Sequence, residues 1–237
     1  MPNPNPRDAR LQHEFERMKT IRAKDGLIDF YCADLSAKEA SAYLASSMHA
    51  DVVKDALPGF LSPEAFMQRF ADRAPEKYLV VFHCRGLKRS DTGEIVKTDT
   101  HAFETVFGLD YPARPPRFVW LTPIWHPNIV PPYLCTEGRP FAISTTLEQL
   151  CLMVGQMIQY RNYNLDDPLG PKGREVALWA TANQSMFPVD TRGLVNGKEN
   201  SRPLVRFSGS ALIEWTDGAE RMQPPKQIAG TGLVEIL

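Results

Sequence analysis

Apolar residues recur at the spacing of a helix face in several parts of the chain. Near the start they are Leu11, Phe15, Met18 and Ile21, and Asp8 is placed to cap the helix that they predict. The clearest helical pattern comprises Leu147, Leu150, Cys151, Val154, Met157 and Ile158, so Cys151 is expected in the core. Thr145 and Glu148 have the spacing of a capping box, and a further helix is predicted over 171–184.

The central part of the chain carries strand patterns instead. Runs rich in β-branched and aromatic residues cover 77–84, 101–109 and 117–125, and the polar segment 86–99 predicts a turn or hairpin with Gly93 at its tip. Because short connections join these strands, we expect an antiparallel meander rather than βαβ units. The predicted fold class is therefore α+β, with a meander sheet flanked by helices.

The 237 residues are enough for one domain with additions. The predicted domain covers residues 1–185 and includes a helical insertion over about 25–76, where two serine-led segments are typical of helix starts. The sequence beyond is polar and rich in glycine and proline, which predicts a C-terminal extension over 186–237.

Composition and charge exclude several classes of protein. A hydrophobic content of 43% with 23% charged residues is typical of a soluble globular protein, and a net charge of -1 argues against nucleic acid as a partner. The sequence contains no apolar run long enough to span a membrane and no signal-peptide pattern, so we expect a cytoplasmic protein without a membrane partner. The four cysteines are far apart and form no metal-binding motif, so we expect neither a metal nor another cofactor.

Candidate chemistry lies in the stretch HPNIVPPYLC, from His126 to Cys135. Its three prolines predict a stiff, irregular loop, in which Cys135 is either a buried apolar residue or an accessible, reactive thiol. His126, with Pro127, is interpreted mainly as holding the loop backbone. The Asn128 amide can cap the turn or donate to a developing oxyanion.

Several motifs in order resemble the ubiquitin-conjugating (E2) family. They are YPARPPRFVWLTPIWHPNI, then Cys135, then ISTTLEQL, then NLDDPLG, and the resemblance covers about 11–22 and 78–180. It implies the E2 (UBC-like) fold and an acyltransferase that accepts a ubiquitin-like protein from an E1-like activating enzyme as a thioester on Cys135. An amine of a target protein, commonly lysine, then attacks this thioester.

The resemblance also implies roles for individual residues. Asn128 supports the oxyanion directly or holds the loop that does, and Asp167 orients the incoming lysine or accepts its proton. The alternative for Asp167 is a turn-forming residue before proline. In this family the first helix docks on the E1, which makes Arg10 and Arg17 candidates for that contact, although a solvated basic face explains them equally well.

The chain departs from the family pattern at several positions. The spacing from Asn128 to Cys135 is seven positions, about one shorter than the family has, and Ala113 stands where many members carry an aromatic that docks RING-type ligases. These departures resemble divergent bacterial E2-like proteins encoded in antiviral operons with a modifier and an E1-like enzyme.

Two other functions compete with an active E2-like enzyme. One is a non-catalytic E2-fold adaptor that binds a ubiquitin-like protein or an E1, but inactive variants typically lack the cysteine. The other is a cysteine hydrolase, which needs a histidine base oriented by a third group, and no histidine outside the loop has that context.

Overall fold

The computed structural model describes residues 5–22, 26–33, 60–71, 73–135 and 144–195. Its described helices are α1 (Pro6–Ile21), α2 (Pro63–Arg69), α3 (Leu147–Ile158) and α4 (Gly170–Ala182), followed by a short 3₁₀ helix at Gln184–Met186. The helices predicted near the start, after residue 145 and over 171–184 are therefore confirmed.

Four antiparallel strands form the main sheet. In sheet order they are β1 (Ile28–Ala33), β2 (Lys77–Phe82), β5 (His101–Val106) and β6 (Arg117–Trp120). Two hairpins stand beside it, namely β3 (Gly86–Arg89) with β4 (Ile95–Thr98), and β7 (Ile129–Val130) with β8 (Tyr133–Leu134). Gly93 has a φ of 87°, which suits the β3–β4 turn because glycine carries no Cβ. The α+β class with an antiparallel meander sheet is confirmed.

The sheet is covered on both faces. On β2, Tyr78, Val80 and Phe82 point into the main core, which they share with apolar side chains of α1 and α3. Leu79 points the other way, into a smaller cluster with Ala102 and Leu121. This alternation follows from the two-residue period of a strand.

A second core supports the region after α3. Tyr160 lies at its centre, stacked on Phe187 with ring centroids 4.3 Å apart, and its hydroxyl donates to the carbonyl of Trp125. Val176 and Ala180 add the buried face of α4. This core therefore fixes α4 against the segment that leads to residues 126–128.

Two predicted helix caps are wrong by a few residues, whereas the serine-led start of α2 is confirmed, because the Ser62 side chain accepts from the Ala65 N–H. The N-cap of α1 is Asn5, whose side chain accepts from the Arg7 N–H, and Asp8 lies within the first turn. The capping box of α3 uses Thr146 and Gln149, one residue later than the predicted pair. Thr146 has the extended backbone that an N-cap requires.

The domain boundaries need a correction. The predicted helical insertion over about 25–76 contains a strand, β1, which pairs with β2 along its whole length. Residues 34–59 lie outside the described residues, and α2 is the helical part that the structure describes. Beyond residue 186, Phe187, Val189 and Leu194 are buried, so the first residues of the predicted C-terminal extension pack on the domain. The rest of that extension, from 196, lies outside the described residues.

Candidate functional site

The β7–β8 hairpin brings Asn128 and Cys135 opposite each other. Ile129 pairs with Leu134 and Val130 with Tyr133, and the Cys135 N–H donates to the Asn128 carbonyl at 2.9 Å. Pro131 and Pro132 are the two residues of the turn. The short spacing between Asn128 and Cys135 therefore corresponds to a tight hairpin that keeps the two residues adjacent.

Cys135 differs from the other cysteines in its access to solvent. Its side chain is partly exposed, whereas Cys32, Cys84 and Cys151 are all fully buried. Burial raises the pKa of the Cys84 thiol to about 12, and it raises the pKa of Cys32 and Cys151 as well. Because the thiolate is the nucleophile, these three thiols are unsuited to covalent chemistry. The predicted core position of Cys151 is confirmed.

The Asn128 side chain is fully buried and makes three hydrogen bonds to a neighbouring loop. Its Oδ1 accepts from the Asn164 N–H at 2.8 Å, and its Nδ2 donates to the carbonyls of Asn164 at 3.0 Å and Asp167 at 3.2 Å. An amide has two N–H donors, so both are in use. Asn128 therefore ties the loop of residues 164–167 to the hairpin that ends at Cys135.

Asp167 lies in that loop with an exposed side chain. Just after Asp167, a further hydrogen bond joins the same two segments: the Leu169 N–H donates to the Pro127 carbonyl at 2.8 Å. At Gly173, on the first turn of α4, a Cβ would lie 2.4 Å from the same carbonyl, so only glycine permits this close approach. The backbone of the loop is thus held at both ends against residues 127 and 128.

His126 is buried and holds the backbone at Asn128. Its ring is fully buried, lies 4.9 Å from the Tyr160 ring, and its Nδ1 accepts from the Asn128 N–H at 3.1 Å. Burial lowers the pKa of His126 to about 3, so the imidazole is neutral and its Nδ1 lone pair is occupied. Pro127 is also buried, and its carbonyl accepts from the Leu169 N–H.

Buried histidines predict an acid-sensitive fold. Burial also lowers the pKa of His101 to about 4, so His101 and His126 stay neutral in the folded chain while the unfolded chain protonates them below about pH 6.5. The unfolded state then binds more protons, and the free energy of unfolding falls as pH falls, by up to about 1.4 kcal/mol per pH unit for each histidine. Urea unfolding between about pH 7.5 and about pH 5.5 measures this slope.

The exposed His83 provides the matched control for that measurement. We expect His101→Gln to reduce the slope and His83→Gln to leave it close to that of the wild type. Equal slopes for all three proteins would contradict the assignment, whatever the absolute stability of each variant.

The two arginines predicted to contact an E1 have different surroundings. Arg10 is mostly buried and donates to Glu14, to the Tyr111 hydroxyl and to the Thr145 carbonyl. Arg17 has a side chain that is 45% exposed and pairs with Glu148 on α3. Arg10 is thus engaged inside the domain, and Arg17 is the more accessible of the two.

The sequence interpretation missed Asn164. Its backbone pairs with the Asn128 side chain, and its own Oδ1 accepts from the N–H groups of Asp166 and Asp167. Asparagine side chains commonly accept from the backbone two residues further on, and this preference is the sequence signal that could have identified Asn164.

Metal-binding groups and membrane-spanning helices were sought in the described ranges. Within them, no group of three or more histidine, cysteine or acidic side chains could hold a metal ion. None of the helices in those ranges is long and apolar enough to cross a membrane.

Comparison with known proteins finds distant similarity to solved structures. No family model and no curated protein matches the sequence. Among solved structures, Ubc12 from S. cerevisiae is similar with a TM-score of 0.43 and 16% identity, over 79% of this chain and 76% of that one.

Proposed function

We propose that this chain is an E2-like conjugating enzyme that carries a ubiquitin-like protein as a thioester on Cys135 and transfers it to an amine. The observation that carries the proposal is the double role of Asn128. Its carbonyl accepts from the Cys135 N–H, and its side chain binds the loop of Asp167. Asn128 therefore links the backbone of the accessible thiol to the loop of Asp167, the candidate for positioning an amine.

The first step is a thiol exchange. The Cys135 thiolate attacks the carbonyl carbon of an E1-bound thioester, and the E1 cysteine leaves as its thiolate. Such an exchange replaces one thioester by another and needs an accessible thiolate more than it needs a base. The exposure of Cys135 supports this step.

The second step is aminolysis. A neutral lysine amine attacks the thioester carbonyl, the C–S bond breaks, Cys135 leaves as a thiolate, and an isopeptide bond forms. We propose that the exposed Asp167 carboxylate orients the incoming lysine and takes up the proton that the amine loses. Its backbone is fixed by Asn128, which supports a positioning role.

For Asn128 itself, we propose the loop-holding role over direct donation to the oxyanion. Both of its N–H donors are engaged by the carbonyls of Asn164 and Asp167. Direct donation to an oxyanion would require one of these buried hydrogen bonds to break.

The partners follow from the same chemistry. We propose a ubiquitin-like modifier, an E1-like enzyme that binds α1, and a target protein with an accessible lysine. Arg17 is the stronger of the two candidates for the E1 contact because Arg10 is engaged by Glu14 and Tyr111. An origin in a bacterial antiviral operon remains a prediction, and the genes beside this one would test it by encoding the modifier and the E1.

A single-turnover charging assay tests the proposed function. The chain is incubated with the candidate E1, its modifier and ATP without reductant, and the products are separated with and without added thiol. We expect an adduct of the chain and the modifier that added thiol cleaves. A stable non-covalent complex without such an adduct would support the adaptor instead and would overturn the enzyme.

A further inference from the structure

Asn164 shapes the loop that presents Asp167. Its Oδ1 accepts from the Asp166 N–H at 2.9 Å and from the Asp167 N–H at 3.2 Å, and its side chain thereby closes a turn over its own loop. Its backbone N–H and carbonyl both pair with the Asn128 side chain. Asn164 thus contacts both the buried asparagine and the backbone that carries the exposed aspartate.

The two asparagines together fix both polar backbone groups of Asp167. Asn164 accepts from its N–H, and Asn128 donates to its carbonyl. The Asp167 side chain is exposed, so its direction depends on the backbone that carries it. Without the Asn164 side chain, only the hydrogen bond from Asn128 to the Asp167 carbonyl would remain, and the Asp167 carboxylate would sample a wider range of directions.

We propose that Asn164 is a positioning residue for amine transfer, which acts by aiming the Asp167 carboxylate toward the thioester on Cys135. This inference rests on the proposed function and adds to it a specific requirement of the second step. Thiol exchange at Cys135 needs no aimed carboxylate, so loading should not depend on Asn164. Attack by lysine should depend on it, because a cationic amine must be captured and deprotonated at a defined place.

The structure allows the side chain to be tested apart from the fold. In Asn164→Ala, the backbone pairing with Asn128 can remain, since it uses only the N–H and carbonyl of residue 164. In Asn164→Asp, an oxygen still stands where the Asp166 and Asp167 N–H groups donate, and aspartate forms this kind of turn as readily as asparagine. Asn183→Ala removes an asparagine that binds the Trp179 carbonyl on α4 instead, and it is the matched control.

The experiment uses a chemically loaded thioester, so it needs neither the E1 nor the modifier. The full chain is loaded on Cys135 with a short peptide that ends in a glycine thioester, and intact-mass spectrometry follows its discharge to lysine or to hydroxylamine. Hydroxylamine is neutral at neutral pH and needs no carboxylate to orient it, so it reports the intrinsic reactivity of the thioester.

We expect Asn164→Ala to slow discharge to lysine by about tenfold or more, while discharge to hydroxylamine changes by less than about threefold. Asn164→Asp and Asn183→Ala should discharge to lysine within about threefold of the wild type. Equal slowing of both nucleophiles, or unchanged lysine discharge in Asn164→Ala, would overturn the positioning role. Failure of E1-dependent charging would instead overturn the proposed function, so the two failures are distinguishable.

Discussion

Replacing Cys135 with alanine should abolish charging by the E1, with a loss of about 10³-fold or more because the nucleophile itself is removed. Cys135 is the partly exposed cysteine of this chain, and the three others are buried with raised thiol pKa values. No other thiol is therefore positioned to take over the acyl group. The measurement is the amount of thiol-sensitive adduct formed in a single turnover without reductant.

Two further variants sharpen that result. Cys84→Ala removes a buried thiol and should charge at the rate of the wild type. Cys135→Ser should give, more slowly, an adduct that resists added thiol, since an oxyester replaces the thioester. An adduct of normal yield in Cys135→Ala would contradict the assignment of the carrier, and would direct attention to lysines of the chain itself.

The main sheet illustrates what the local pattern determines. Strands β2, β5 and β6 were predicted, because each is a run of strand-forming residues. Strand β1 was missed although Ile28, Phe30 and Cys32 alternate as a strand requires. Its partner β2 begins at Lys77, and a pairing over that distance along the chain leaves no local signal.

The predicted capping box at Thr145 was wrong for a different reason. Thr145 and Thr146 are adjacent, and each is followed three residues later by a side chain that can complete a capping box. The backbone decides between them, because the cap must be extended while the next residue is helical. Sequence spacing alone does not distinguish these two registers.

The candidate site was partly visible in the sequence. Cys135, Asn128 and Asp167 were identified from motifs, but the contact that joins them depends on a hairpin turn made of two prolines. Three prolines in the stretch predicted an irregular loop, whereas Ile129 and Val130 still pair with Leu134 and Tyr133. The turn prolines donate no hydrogen bond in that pairing, so they do not interrupt it.

The Asn128 side chain should be essential for both stability and amine transfer. Asn128→Ala leaves the Asn164 N–H and the carbonyls of Asn164 and Asp167 without their partner, in a site where the lost side chain is fully buried. We expect the free energy of unfolding to fall by about 2–4 kcal/mol, which urea unfolding measures. Charging on Cys135 should persist where the variant remains folded.

The same variant separates the two roles proposed for Asn128. If it holds the Asp167 loop, discharge of the loaded thioester to lysine should slow by about 10²-fold, while discharge to hydroxylamine changes little. If it donates directly to the oxyanion, both nucleophiles should slow alike, by about 10²–10³-fold. Asn128→Asp is nearly the same size but sets an oxygen against the carbonyls of Asn164 and Asp167. Discharge to lysine should therefore be as slow in Asn128→Asp as in Asn128→Ala, because the N–H donors of the side chain hold the loop and its volume does not.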